Sequence, residues 1–491
     1  DNTPLNVTSN EFQFNDGEMS GKWSNISDVE AVVLHFWEQS RMPLVRIDNK
    51  TRTAYFSKKS GFRLTDDFTP AGARYYIENV FEALSEPGEW YLDRLTGMLY
   101  YMPMPGDELA TTHLFAPSNE RIVEIKGDAG AGRYAEGIRL EGIAFCHTDW
   151  SMPPDRSGYE QASWGVPGAI CISDARDCAI QGCTISGVGG YGVQIAAGSS
   201  DTLISRNNIR DLGAGAVKIE RGSKRTIVTD NEICDGGKVF HSAVGVLIMD
   251  SGYNHVAHNH VRDFDYSGIS AGWCWSYDRN NAKANVIEYN HIHDIGRRVL
   301  SDLAGIYTLG PQPGTVIRNN LIYNCSSNTY GGWGIYLDAS SSNIVVENNI
   351  VYRNKSGGFF QPSGKENTVR NNVFALNTEA QIAREKAEPH ISLRFQRNIV
   401  YWTEGDLLAQ NWQDDGFEFD SNLYWRTDGG SILFGKETFE QWQARGQDVN
   451  SLIAHPMFRA PAKGDFTTLP GSPVARIGWK PIDVTNVGPR R

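Results

Sequence analysis

From about residue 170 the apolar and polar positions recur in a fixed phrase. It runs apolar-x-apolar, a polar residue or two, Asn, a polar residue, then Ile, Val or Leu. Instances are Ile204 to Ile209, Val228 to Ile233, Val256 to Val261, Ile287 to Ile292, Val316 to Leu321, Val345 to Ile350 and Val369 to Val373. The recurring asparagines are Asn207, Asn231, Asn259, Asn290, Asn319, Asn348 and Asn371, separated by 23 to 31 residues. A period in that range means a solenoid or a propeller, and a propeller blade needs ~40 residues or more. Each period holds two or three short strands punctuated by Gly, Asn or Asp, and helical spacing is absent. The pattern therefore predicts an all-β, right-handed parallel β-helix of the pectate-lyase-like kind. The Asn column has a physical reason. A tight bend between two sheets favours a residue that tolerates left-handed backbone angles. Stacked coils then place the amides ~4.8 Å apart, in reach of one another as a ladder.

A second phrase follows each Asn phrase, usually Gly, then apolar-x-apolar: at Gly192, Ala216, Gly245, Gly268, Gly305, Gly334 and Gly358. Strand alternation assigns the faces. Val193, Val217, Val246, Ile269, Ile306 and Ile335 point inward. Gln194, Lys218, Leu247, Ser270, Tyr307, Tyr336 and Phe360 point outward, and two residues further on the outward column is Ala196, Glu220, Met249, Gly272, Leu309, Asp338 and Pro362. The mixed polar and aromatic character of these columns suits a binding groove.

Residues 1–111 read as a separate β-rich, antiparallel domain, with a hairpin over Glu89 to Met102. The β-helix is expected over 112–453, its first coil built from Ile122-Val-Glu-Ile and Gly137-Ile-Arg-Leu. Residues 149–166 read as a long surface loop over the groove. The repeat blurs after Asn398, with a last echo at Asn422 and a short helix over Gly435 to Ala444. Residues 454–491 read as a terminal cap, which a solenoid needs to shield its end.

Composition narrows the partners. The net charge is −12, from 46 basic and 58 acidic residues. That argues against nucleic acid and anionic membranes, which need basic footprints, and favours a neutral or weakly charged glycan. No run approaches the ~18–20 apolar residues of a membrane span. The seven cysteines are odd in number and lack a CxxC pair, so they are expected as small buried residues rather than a disulfide frame or a zinc site. A chain beginning at Asp1 rather than Met fits a processed protein, secreted or periplasmic and monomeric.

Several phrases resemble glycoside hydrolase family 141. These are His147-Thr-Asp-Trp150, Gly268-Ile-Ser-Ala-Gly-Trp273, Tyr289-Asn-His-Ile-His-Asp294, Ser301-Asp-Leu-Ala-Gly-Ile-Tyr-Thr-Leu-Gly310, Gly331-Gly-Trp-Gly-Ile-Tyr-Leu-Asp338 and Gly88-Glu-Trp-Tyr-Leu-Asp-Arg94. The resemblance runs from about Gly88 to Gly488. It implies a β-helix enzyme that hydrolyses plant-type cell-wall glycans, either as an α-L-fucosidase on pectin side chains or as a xylan-cleaving enzyme. It also implies first coils and a cap preceding Asp1. Two departures fall at the site: Asp338 is followed by Ala339-Ser340 rather than an acidic residue and Gly, and Phe360-Gln-Pro-Ser363 replaces a His-containing segment.

Glycosidic cleavage uses two carboxyl groups, one protonated as the acid and one ionised as base or nucleophile. The first pair is Asp302 and Asp338, which the resemblance favours. They lie seven positions apart along their coils, so they meet only if the bend at Gly305 folds both towards one groove. The rival pair is Asp265 and Asp302, which hold the same position on adjacent coils; Glu220 and Asp250 come third. Lys218, Glu220, His241, Trp273, Trp275, His293, Tyr307 and Trp333 are the candidates for sugar contact. His291 and His293 share one strand face, but no third ligand is evident from the sequence, so neither metal nor cofactor is expected. An exo-acting hydrolase is the main reading. A polysaccharide lyase and a non-enzymatic tailspike-like adhesin are the alternatives.

Overall fold

Short stretches rich in β-branched residues, many of them ended by a residue in the left-handed region, stack into three long parallel sheets. The structure, a computed structural model, describes residues 5–68, 71–108 and 110–490. The first face carries the Gly-apolar-x-apolar strands, from Val123–Lys126 to Asp406–Gln410, eleven in all. The second face runs from Arg139–Glu141 to Phe417–Asp420, also eleven strands. The third runs from Ala144–Thr148 to Leu452–Ile453, twelve strands. The protein is thus an all-β right-handed parallel solenoid of about 11 turns with an N-terminal β-rich region. The inward column Val193, Val217, Val246, Ile269, Ile306 and Ile335 stacks in register and is fully buried.

The Asn ladder is present, displaced by one residue in part of the chain. Asn259 Nδ2 donates to Asn290 Oδ1 at 3.0 Å, and Asn290 Nδ2 to Asn320 Oδ1 at 3.0 Å. The ladder continues through Asn349, Asn372, Asn398 and Asn422, so the coils persist where the sequence pattern blurs. Asn319, Asn348 and Asn371 are not its rungs. They occupy the left-handed bend just before it, at φ 55, 58 and 55°, where other coils place Arg206, Asp230, His258 and Tyr289. The distinction lies in the distance to the inward apolar residue. A ladder Asn precedes that residue by two, as Asn207 does Ile209 and Asn320 does Ile322. The doublet Asn-Asn alone cannot show which member bends the chain and which turns inward.

Two compact units emerge, Asp1–Ser118 with Asp149–Gly165, and Asn119–Thr148 with Val166–Arg491. The first is built on a five-stranded antiparallel sheet over a core that includes Val29, Ala31, Val33, Met42 and Phe56, with the expected hairpin Trp90–Asp93 and Met98–Tyr101. Residues 149–165 belong to this unit: Arg41 N–H donates to Ser157 O at 2.5 Å, and Ser157 Oγ to Lys59 O at 2.6 Å. The short helix Phe439–Ala444 starts at a capping box of Thr438 and Gln441, the reciprocal pairing that satisfies two orphan N–H groups. The C-terminal tail lies along the solenoid rather than over its end. Phe458, Phe466, Val474, Ile477 and Trp479 cover the outward third-face residues Ile350, Val373, Ile399 and Leu423. Those outward positions are apolar, and the tail removes them from water. All seven cysteines are unpaired, five of them buried.

The ladder gives a contrast to test. Asn290→Ala strips partners from the Val256 carbonyl and the Asn259 N–H, while the Asn320 amide oxygen keeps the Asn290 backbone N–H. It should lower stability by roughly 2–6 kcal/mol, at about 1–3 kcal/mol for each of the two buried groups left unsatisfied. Asn319→Gly, at a left-handed bend, should change it by less than about 1 kcal/mol. Apparent midpoints of chemical unfolding measure both, and equal losses would contradict the assignment of rungs and bends.

Candidate active site

Asp302 and Asp338 come together through a crossed pair of tyrosines. Tyr307 and Tyr336 are partners in register on adjacent first-face strands, Ala304–Leu309 and Trp333–Leu337. Tyr307, on the coil of Asp302, donates its hydroxyl to Asp338 Oδ2 at 2.6 Å. Tyr336, on the coil of Asp338, donates to Asp302 Oδ1 at 3.1 Å. The seven-residue offset is absorbed before the strand begins. Asp302 adopts φ 61°, its N–H donates to Tyr330 O at 3.0 Å, and its carbonyl accepts from Tyr266 Oη at 2.8 Å. Gly331 makes this possible: at φ 81°, a Cβ there would lie 2.6 Å from the Asp302 nitrogen, so the Gly331-Gly332-Trp333 phrase is needed for the close approach.

Asp302 and Asp338 are half-buried as residues, with their carboxyl groups packed among neighbouring side chains. Burial first, and then the charge of Asp338, push Asp302 up to about 8. Asp338 is raised by burial, and opposed by the hydrogen bonds from Tyr307 and Tyr336 and by the positive charge of Lys386. The two share their titration and hold one proton between them well above the ordinary carboxylate range. Both tyrosines are pushed well above their usual range by burial, with Asp338 next for Tyr307 and Asp302 next for Tyr336. They therefore stay neutral donors. One carboxyl that keeps its proton beside one that gives it up is the division of labour an acid–base pair requires.

Aromatic rings flank the pair. Trp273 lies 6.2 Å from Tyr307 between ring centroids, with its Nε1 donating to Ser270 Oγ at 3.1 Å. Trp275 meets Trp273 edge-on at 5.6 Å and is 62% exposed. Trp333 stacks on Phe360 at 4.4 Å and leans on Tyr336 at 6.3 Å. The 273–281 loop is fixed by Asp250, which accepts from the Asn281 backbone at 2.6 Å, and by Tyr277, which donates to Glu388 at 2.5 Å.

Of the expected site residues, Asp302, Asp338, Trp273, Trp275, Tyr307 and Trp333 gather here. His241 stands one step along the same edge, its Nδ1 2.7 Å from Asp265. Asp265 is also bound by Arg297 at 2.6 Å, so its charge is already matched, which removes the ground for pairing it with Asp302 as acid. Lys218 is only 1% exposed, with Nζ donating to Val166 O at 2.7 Å and pairing with Glu220 at 3.0 Å. Three strand spacings, about 14 Å, separate it from Tyr307, and its outward position on the first face is covered rather than open. Glu220 goes with it. His293 belongs to the third face, where strand alternation within one sheet says nothing about another. Tyr336 and Tyr266 were passed over as site residues. The outward column already placed Tyr336 beside Tyr307, which was the available signal.

A family profile described as "Right handed beta helix region" matches residues 168–307 and 277–400. The chain is 26% identical over 199 residues to "Uncharacterized protein YwoF" of Bacillus subtilis (strain 168); the match spans 38% of this chain and 36% of that relative's length. Among solved structures it is similar to one described as "Glycoside hydrolase", with TM-score 0.64 and 21% identity, covering 72% of this chain and 69% of that one. A weaker likeness is to "The complex structure of XylC with xylose", with TM-score 0.40 and 14% identity, covering 66% of this chain and 54% of that one. The family profile and the likeness at TM-score 0.64 establish the fold.

The raised carboxyl sets a pH-dependent stability. The folded chain keeps the Asp302 proton up to about 8, whereas the unfolded chain loses it near 3.8. Between those values the folded state binds more protons, so this group lowers stability progressively as pH rises. Asp302→Asn should therefore unfold at a higher temperature than the wild type at pH 7, with the gap closing as pH falls towards 4. A gap that is absent or reversed in paired thermal scans would show that Asp302 is not held protonated.

Proposed function

We propose that the chain is a glycoside hydrolase, with Asp302 as general acid and Asp338 as base or nucleophile. The observation that carries this reading is the coupled carboxyl pair, with one proton held high and a tyrosine hydroxyl on each member. In the reaction, Asp302 delivers its proton to the departing glycosidic oxygen. Asp338, ionised and aligned by Tyr307, either activates water or attacks the anomeric carbon. Tyr336 holds the Asp302 carboxyl without taking its proton. Trp275 offers an exposed ring to a sugar face, and Trp273 and Trp333 frame the approach.

Two further considerations support hydrolysis over elimination. A lyase needs cations to neutralise a uronate carboxylate. Lys218 is committed to Glu220 and Arg297 to Asp265, and the positive charge of Lys386 already acts on the Asp338 carboxylate. The solved structure described as a glycoside hydrolase, with which the chain shares its fold, is in keeping with this reading. The substrate we propose is a neutral or weakly charged cell-wall glycan, with fucosylated pectin side chains the first to try and xylan the second, taken exo-fashion. The enzyme would act outside the cytoplasm.

The test is a panel of fucosylated pectin fragments, aryl fucosides and xylan, following released reducing sugar and the ultraviolet absorbance of an unsaturated product. Reducing sugar without that absorbance is expected. Asp302→Asn and Asp338→Asn should each lower kcat/KM by ~10²–10⁴-fold, the usual contribution of an acid or base. Because Asp302 must be protonated to act, the wild-type rate should fall as pH rises through about 8, a limb that Asp302→Asn should lose. Unsaturated product, or activity surviving both changes in folded protein, would overturn the assignment.

A further inference from the structure

The third face carries a second cluster of chemistry, away from the carboxyl pair. His260 opens the strand His260–Phe264, and His291 and His293 lie on the next strand, His291–Ile295. His260 pairs in register with His291, and Arg262 with His293. The intervening Val261 and Ile292 are fully buried, so all three imidazoles project from the outer side. Their ligand atoms lie within 4.8 Å of one another. The sequence showed only the i, i+2 pair; the third ring comes from the preceding coil.

The hydrogen bonds around two of these rings, His260 and His293, fix which of their nitrogens are available. His260 Nδ1 lies 2.9 Å from Glu232 Oε2, and His293 Nδ1 lies 2.7 Å from Asp294 Oδ2. A carboxylate only accepts, so each Nδ1 carries the hydrogen and, in a neutral ring, each Nε2 presents a lone pair. Those two Nε2 atoms face each other at 2.8 Å. Two lone pairs at that distance repel; a cation between or beside them turns the same geometry into a binding site. A carboxylate behind each imidazole is the arrangement that orients metal-ligating histidines and raises their basicity. Tyr323 stacks flat on His293 at 4.9 Å and meets His291 Nε2 at 3.0 Å, which further limits ring rotation. A furrow of about 450 Å³, lined in part by Glu232 and Arg262, opens alongside.

We propose that His260, His291 and His293 bind a divalent transition-metal ion, zinc in the first instance. Donors that are all imidazole suit Zn²⁺, Cu²⁺ or Ni²⁺ rather than Ca²⁺ or Mg²⁺, which take oxygen. Tetrahedral Zn²⁺ with bonds of ~2.0–2.1 Å sets its nitrogens ~3.3 Å apart. The His260 and His293 nitrogens need separate by only about 0.5 Å, a small rotation of two half-buried rings. A fourth position stays open to water. The ion clamps two consecutive coils from outside, where the C-terminal tail also docks: Gly488 N–H donates to Tyr289 O at 2.8 Å, and Arg490 holds Asp230 at 2.7 Å. This proposal does not depend on the hydrolase reading.

The test uses the full chain, tag-free and stripped of metal, titrated calorimetrically with Zn²⁺ and weighed by native mass spectrometry. One ion per chain is expected, with a rise in thermal midpoint, and no binding of Ca²⁺. His260→Ala/His293→Ala should abolish that binding while the far-ultraviolet circular dichroism is retained. Glu232→Gln leaves all three ligands in place and should weaken binding ~10–100-fold, the usual effect of losing a partner behind a ligand. No saturable binding of Zn²⁺, Ni²⁺ or Cu²⁺ would overturn the proposal and leave a proton shared between His260 and His293. Unchanged binding in the double variant would overturn it too, placing the ion on the cysteines or the surface.

Discussion

Everything in the solenoid depends on the register between consecutive coils. A parallel stack repeats at ~4.8 Å, so a residue that points inward on one coil must be followed by one that points inward on the next. A slip of a single residue would turn a whole strand inside out. The buried Asn ladder holds that register at one corner. Each rung ties the coil below to the coil above through its side chain, and also satisfies a second-face carbonyl, as Asn290 does for Val256. Near the ends of the third-face strands, Asp211, Asp235, Asp263, Asp294 and Asn324 all take left-handed angles, the conformation that Asp and Asn tolerate better than other side chains. Register fixed at the corners frees the outward positions of the strands for other uses.

The first face uses that freedom for the carboxyl pair. Strand pairing alone would leave Asp302 and Asp338 apart, since one precedes its strand and the other ends the next. Tyr307 and Tyr336 span the gap because they are themselves held in register, and each reaches across to the carboxyl of the other's coil. The arrangement runs against stability: two like charges are brought close in a place where burial already disfavours charge. The fold tolerates it because these coils are held by the ladder and the inward column, which do not involve the outward side of this face. Strain and destabilisation concentrated where the rest of the structure over-determines the backbone are characteristic of functional sites.

Much of this was legible in the sequence, and what was not has physical causes. The period, the strand faces and the inward column follow from alternation within a repeat, and all are local properties. Asp302 and Asp338 were named on resemblance, but alternation could not join them, because a left-handed residue ahead of Gly305 and the space left by Gly331 set the path of the chain. Alternation predicts an open Lys218 because outward on a strand usually means solvent; covered outward columns escape that rule. The ladder slipped by one at Asn319 because Asn suits both the bend and the rung, and only the distance to the next inward residue separates them. His260 was missed beside His293 because the two are 33 residues apart in the chain and the intervening coil is longer than its neighbours.

The same stacking logic explains why one chain can hold two unrelated clusters of chemistry. In a solenoid, a side chain's neighbours come from the coils above and below at the same position, so a cluster needs only two or three coils that agree at one column. The carboxyl pair takes the outward side of the first face over the coils of Tyr307 and Tyr336. The imidazoles take the outward side of the third face over the coils of Val261 and Ile292. The inward columns of those coils are apolar and fully buried in both regions, so the core beneath each cluster is the same. What differs is the outer shell: tyrosines that stay neutral over Asp302 and Asp338, carboxylates that orient His260 and His293. Each cluster can therefore change without disturbing the coil that carries it, provided the corner residues and the inward column are kept. That separation of scaffold from surface is why fold alone does not fix function here, and why the chemistry has to be read from individual side chains.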